Sequence, residues 1–222
     1  METQTRKTGI DVVGDMVAWG AHFCLFYETK EDLLDTLISY CKSGLESEEY
    51  CLWIVAEPLT IEEARDALKG EVPDLDQHLA DSRLELASAR DWFLQGGTFD
   101  GKRLTDAWYE KLARVSARGY PGMRVTGDTT WLTNKDWRHF CASEDGLNEV
   151  IGNQRLAVLC TYPLAGCGAP QILDWCVHTS LSSQGDTGVG TLLKPPPSSE
   201  PRPKSRGSMR SLNNVSQNEP TN

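Results

Sequence analysis

The chain has 222 residues, 39% hydrophobic and 24% charged, which allows one domain with a sizeable core and a shorter appendage. The net charge of −10 is uneven: residues 191–222 hold five basic and two acidic side chains, so residues 1–190 carry −13. So acidic a body is repelled by phosphates, which argues against direct nucleic-acid binding. No run of about 18 apolar residues is present to span a membrane, and the first twenty residues lack the apolar stretch of a secretory signal. The seven cysteines are odd in number and contain no Cys-x-x-Cys pair, so a reducing cytoplasm is the expected compartment.

The predicted elements alternate between short strands and helices. Residues 1–18 carry no apolar period and are expected to be flexible. His22–Tyr27 reads as a buried strand. Thr29 with Asp32 marks a helix start, and Leu33, Leu37, Ile38, Cys41 and Leu45 form one helical face. Tyr50–Val55 is the clearest strand, broken by Glu57-Pro58. Thr60 with Glu63 makes a capping box for a helix carrying Ile61, Ala64 and Leu68. A third strand is predicted over Arg83–Ala87, then a loop at Gly96-Gly97, then a helix with Leu104, Trp108, Leu112 and Val115. Gly119-Tyr120-Pro121-Gly122 stops that helix and Met123–Thr126 is the fourth strand. Leu147, Val150 and Ile151 suggest a helix ending near Gly152, Leu156–Thr161 is the fifth strand, and Ile172, Leu173, Cys176 and Val177 line a last helix. From residue 182 to 222 Ser, Gly, Pro and Asn dominate, and the segment is expected to be disordered.

Strands joined by such helices need crossovers. The expected fold is therefore α/β, a mostly parallel sheet of five or more strands with helices on both faces. Ligands of such sheets bind at the carboxyl ends of the strands. That rule selects Tyr27, Glu57, Asp128, Cys160 and Tyr162. Each also has a structural reading: the carboxylates as helix caps, the tyrosines as edge seals, Cys160 as a core thiol. His22 begins its strand, at the opposite end from the expected rim, and serves the site only if the preceding chain folds over it. The turn Phe26-Tyr27-Glu28-Thr29-Lys30-Glu31-Asp32 has no glycine, and its carboxylates would repel a triphosphate, which argues against a phosphate loop. No serine-hydrolase elbow, compact metal-ligand spacing or cofactor motif is found.

The segments HFCLFYETKEDLLDTLISYCKSGLESEEYCLWIVAEPLTIEEAR, LELASARDWFLQGGTFDGKRL, GYPGMRVTGDTTW and LAVLCTYPL, in this order, resemble the methanogen/methylotroph sensory domain (MEDS) family. The resemblance covers about residues 19–181. It implies a RecA/KaiC-like three-layer fold that has lost its phosphate loop. It also implies sensing of small hydrocarbon derivatives, with His22, Cys160 and Tyr162 as sensing residues. Members of the family sit beside a histidine kinase, a DNA-binding helix-turn-helix or an anti-sigma-type module. One departure is Ser143-Glu144 before Leu147-Asn148, where relatives carry Tyr-Glu.

The expectation is thus a non-enzymatic sensory module without cofactor or metal. It would bind a small apolar ligand and signal to a separate protein: a histidine kinase, an anti-sigma-type factor or a transcription regulator. Two alternatives remain open, a degenerate nucleotide binder or slow ATPase using Glu57 and Asp128, and a redox sensor pairing Cys160 with Cys167.

Overall fold

The structure is a computed structural model, which describes residues 5–10, 16–132, 140, 151, 152, 154–166 and 189–193. The elements in chain order are β1 (Thr5–Lys7), β2 (Met16–Ala18), β3 (His22–Tyr27), α1 (Lys30–Glu46), β4 (Tyr50–Val55), α2 (Ile61–Lys69), α3 (Leu75–Ala80), β5 (Leu84–Ser88), α4 (Ala89–Phe93), α5 (Gly101–Ala117), β6 (Met123–Asp128), β7 (Leu156–Pro163) and β8 (Val189–Leu193). Six of these strands form one sheet in the order β5-β4-β6-β7-β3-β8, and every pairing is parallel. β1 and β2 form a separate antiparallel pair.

The central strands are buried along their whole length, because helices cover both faces. Alternate residues therefore build two cores. On one face Phe23, Leu25, Trp53 and Val55 pack under α1, α2 and α3, which contribute Leu33, Leu37, Ala64, Leu68 and Leu75. On the other face Leu52, Ile54, Val125 and Val158 pack under α4 and α5 through Phe93, Leu104, Trp108 and Leu112. α1 approaches the sheet closely at Gly44, where an added Cβ would lie 2.6 Å from Cys51 Sγ. The Tyr40 hydroxyl then ties α1 to β7 by donating to the Ala157 carbonyl at 3.0 Å.

Short strands lie on both sides of the expected domain, residues 19–181. Residues 1–18 are not wholly without structure. Arg6 in β1 is buried, and Arg6 Nη1 lies 2.6 Å from Glu49 Oε1. Glu49 Oε2 accepts from Arg124 Nε at 2.8 Å, and the Arg124 guanidinium also donates to the carbonyls of Lys7, Thr8 and Tyr40 at 2.7–2.9 Å. Burial pulls Arg6 down to about 10, so it stays charged at neutral pH and the cluster holds two cations around one carboxylate. At the other end, Val189–Leu193 falls inside the segment expected to be disordered, yet it pairs in register with His22–Phe26. A strand this short, with two glycine or threonine positions in VGTLL, gives no alternating signal of its own. The pairing is supplied by the open edge of β3. The helix predicted around Ile172 and Val177, most of the one around Leu147, and the segments 167–188 and 194–222 lie outside the described residues.

Candidate functional site

Strand alternation decides which predicted residues meet. His22, Cys24 and Phe26 of β3 and Val158, Cys160 and Tyr162 of β7 share the α4/α5 face. Tyr27 of β3 and Asp128 of β6 belong to the α1 face. The side chains of the expected common rim therefore fall into two groups, one on each face of the sheet.

Val158 and Cys160 of the first group line a small cavity of about 20 Å³. Its floor is Ile54 of β4, Val125 and Gly127 of β6, and Val158 and Cys160 of β7, and Asp128 and Thr129 complete the lining at the end of β6. Its roof is Phe93 of α4, Leu104 and Trp108 of α5, and Phe140. The aromatic rings interlock: Phe93 stacks on Trp131 at 4.7 Å between centroids, Phe99 on Trp131 at 5.5 Å, and Phe140 meets Trp131 edge-on at 5.7 Å. Tyr162 and Phe26 pack at 5.3 Å and extend the apolar lining toward β3.

His22 reaches this group. It is buried, and its Nε2 lies 3.3 Å from Cys160 Sγ, although the two residues are 138 apart in sequence. β3 and β7 run parallel with Cys24 opposite Cys160, so His22 is one same-face step before the thiol's partner. A histidine at the start of a strand therefore reaches a thiol further along the neighbouring strand by a diagonal contact.

The second group is a buried carboxylate. Asp128 Oδ1 accepts from the Thr130 amide at 2.8 Å, and Oδ2 accepts from the Thr161 hydroxyl at 2.8 Å. Burial pushes the Asp128 carboxyl above its usual range, opposed by hydrogen bonds from Thr130, Tyr27 and Thr161. Tyr27 leads directly into the turn before α1. There Thr29 Oγ1 accepts from the Asp32 amide at 3.1 Å, while the Thr29 amide donates to Asp32 Oδ2 at 3.3 Å. A carboxylate of the chain itself thus occupies the helix end where a nucleotide phosphate would bind.

Glu57 stands apart from both groups. It is exposed, in an open cleft of about 600 Å³ at the carboxyl ends of β4 and β5, with Thr60, Ser88, Arg90 and Trp131. Its carbonyl accepts from Thr130 Oγ1 at 2.5 Å. Trp131 borders this cleft and stacks on Phe93, a wall of the cavity, so one ring pair joins the two spaces. Sequence reasoning missed Phe93, Phe99, Trp131 and Phe140, which lie outside the strands and at no common period. Among the described residues no group of three His, Cys, Asp or Glu side chains is placed to hold a metal ion. Cys167, the proposed redox partner of Cys160, lies outside the described residues.

A parallel sheet covered by helices on both faces, in this strand order, defines a RecA/KaiC-like α/β protein. The KaiC-like protein PH0186 of the hyperthermophilic archaeon Pyrococcus horikoshii superposes with a TM-score of 0.53 at 12% sequence identity, over 72% of this chain and 71% of that one. At that identity the likeness establishes the fold alone. Residues 21–179 match the family model described as the MEthanogen/methylotroph, DcmR Sensory domain, and the chain belongs to that family of sensory domains. No curated protein matches the chain. No helix among the described residues is long and apolar enough to cross a membrane.

Proposed function

We propose that this sensory domain takes a small, hydrocarbon-derived ligand into the aromatic cavity beneath α4 and α5, catalyses no turnover, and passes occupancy to a separate protein. The observation that carries the reading is the cavity itself: walls of Ile54, Phe93, Leu104, Trp108, Val125, Phe140 and Val158 with one thiol–imidazole pair at the edge. A mainly apolar pocket with a few polar groups, here Cys160, Asp128 and Thr129, suits a mainly apolar ligand oriented by a few contacts. Of the residues the family resemblance singles out, Cys160 faces the ligand, backed by His22 and packed beside Tyr162. Tyr27 and Asp128 support the turn before α1 from behind the sheet, and Glu57 belongs to the outer cleft. The partner is a kinase, an anti-sigma-type factor or a transcription regulator, and ligand binding acts by shifting the population of the partner-binding conformation.

The test is a thermal-shift screen of small alcohols, thiols, haloalkanes and nucleotides. A ligand at 100 times its Kd stabilises by about 2.7 kcal/mol. Stabilisation by apolar compounds with none by ATP is expected; stabilisation by ATP alone sinks the reading. A degenerate nucleotide binder draws support from Glu57 and Asp128, which end or follow the neighbouring strands β4 and β6. The self-capped start of α1 and its acidic first turn, Glu31 and Asp32, weigh against it.

A further inference from the structure

We infer that Cys160 is a reactive thiol which, with His22 as proton acceptor, captures a small neutral carbon electrophile in the cavity as a thioether. This rests on the cavity reading above and adds a covalent step to it. Four cysteines lie among the described residues, and they differ in kind. Cys24, Cys41 and Cys51 are fully buried in the core. Burial pushes the Cys41 thiol up to about 12 and Cys51 well above its ordinary range, which keeps both protonated and inert. Cys160 is partly exposed, lines the cavity, and has an imidazole nitrogen 3.3 Å from its sulfur. A thiol beside a base within hydrogen-bond reach is the arrangement of an activated sulfur nucleophile.

The cavity restricts what the sulfur meets. Its volume of about 20 Å³ is close to that of a single water-sized group, so the first occupant has one or two heavy atoms. Its lining includes Asp128 and no cationic side chain, so an anionic reagent finds no counter-charge. A short alkyl halide meets both conditions. In the reaction the Cys160 proton passes to His22 Nε2 and the sulfur lone pair forms the new S–C bond. The carbon–halogen bond breaks with its electron pair, and halide departs. The imidazolium later releases its proton to solvent. Nothing outside the protein and the halide is consumed, and no redox partner is required.

The experiment treats the full chain with iodomethane at neutral pH and maps every cysteine by peptide mass spectrometry against time. Methylation of Cys160 at least tenfold faster than Cys24, Cys41 and Cys51 is expected, with a tenfold loss in His22→Asn. Equal or slower reaction at Cys160, or an unchanged rate in His22→Asn, overturns the inference. Should circular dichroism show His22→Asn unfolded, the pH–rate profile of the native chain decides. A plateau well below the ordinary thiol value of about 8.5 supports activation, and a rate that climbs through it overturns activation. Xenon, an inert apolar probe, separates this inference from the reading beneath it. Xenon binding without selective methylation removes only the covalent step, whereas neither xenon binding nor methylation removes both.

Discussion

Arg124 and Glu49 lie side by side beneath α1, Nε to Oε2 at 2.8 Å, with each side chain only 1% exposed. Glu49 also holds Arg6 of β1, so one carboxylate balances two guanidinium groups. Removing that carboxylate leaves buried cations without a counter-charge, a change that costs about 3–5 kcal/mol. Glu49→Gln is therefore expected to destabilise the domain by about 3 kcal/mol in urea unfolding. Asp76→Asn, which breaks the exposed pair with Arg65, should leave the midpoint unchanged. Equal effects of the two variants would mean that the buried cluster contributes nothing special.

Gly127 sits on the cavity floor. A Cβ added there would lie 3.4 Å from Phe93 Cζ and 3.6 Å from Ile54 Cβ, in ordinary contact rather than collision. Gly127→Ala is expected to fill the space and abolish thermal stabilisation by small apolar ligands. The melting temperature of the free protein should move by no more than about 3 °C, on the order of 1 kcal/mol. Retained ligand response in a folded Gly127→Ala would move the binding site elsewhere.

Asp128 gives the stability curve a sign. Its folded-state pKa is raised above the unfolded value, so the folded protein holds the proton more tightly. Its contribution is fully present below the unfolded pKa and is lost as pH rises through the raised folded pKa. Stability measured from pH 4 upward should therefore decline through that window in the wild type, after the other carboxylates are accounted for. Asp128→Asn, which can keep the contacts to Thr130 and Thr161, should remove this component and be no less stable at neutral pH. A difference curve that rises with pH instead would show that the carboxylate is stabilised by its partners more than burial disfavours it.

β8 makes truncation informative. If residues 182–222 were disordered, as their composition predicts, removing everything after Ser182 would leave the melting temperature nearly unchanged. In the structure Val189–Leu193 completes one side of β3. Ending the chain at Gly188 should expose that edge and lower the melting temperature by about 5 °C, on the order of 2 kcal/mol. Ending it at Leu193 should not. Indistinguishable melting of the two truncations would restore the shorter boundary.

The five predicted strands were legible because turn signals bound them and three of them, β3, β4 and β7, are nearly continuous apolar runs. The predicted spans agree with β3 and β4, and fall short of β6 and β7 by two residues each at the carboxyl end. The capping boxes at Thr29 and Thr60 were equally plain, since their chemistry is local. What escaped depends on distant partners. β1 reads as the polar tripeptide TRK until Glu49 and Arg124 neutralise and anchor it. The aromatic roof draws on α4, a loop and Phe140, which only the fold brings together. The candidate residues were chosen by position along their strands, and that choice ignored which face each side chain takes. Hence Tyr27 and Asp128 part from His22, Cys160 and Tyr162.

That same alternation ties two compartments into one mechanical part. Gly127 forms the cavity floor and Asp128, the next residue, grips Thr161 and Thr130 behind it. The peptide between them is planar and stiff, so they move together. Contact with the floor is therefore also contact with the strand that carries the Asp128 anchor, one residue further along β6.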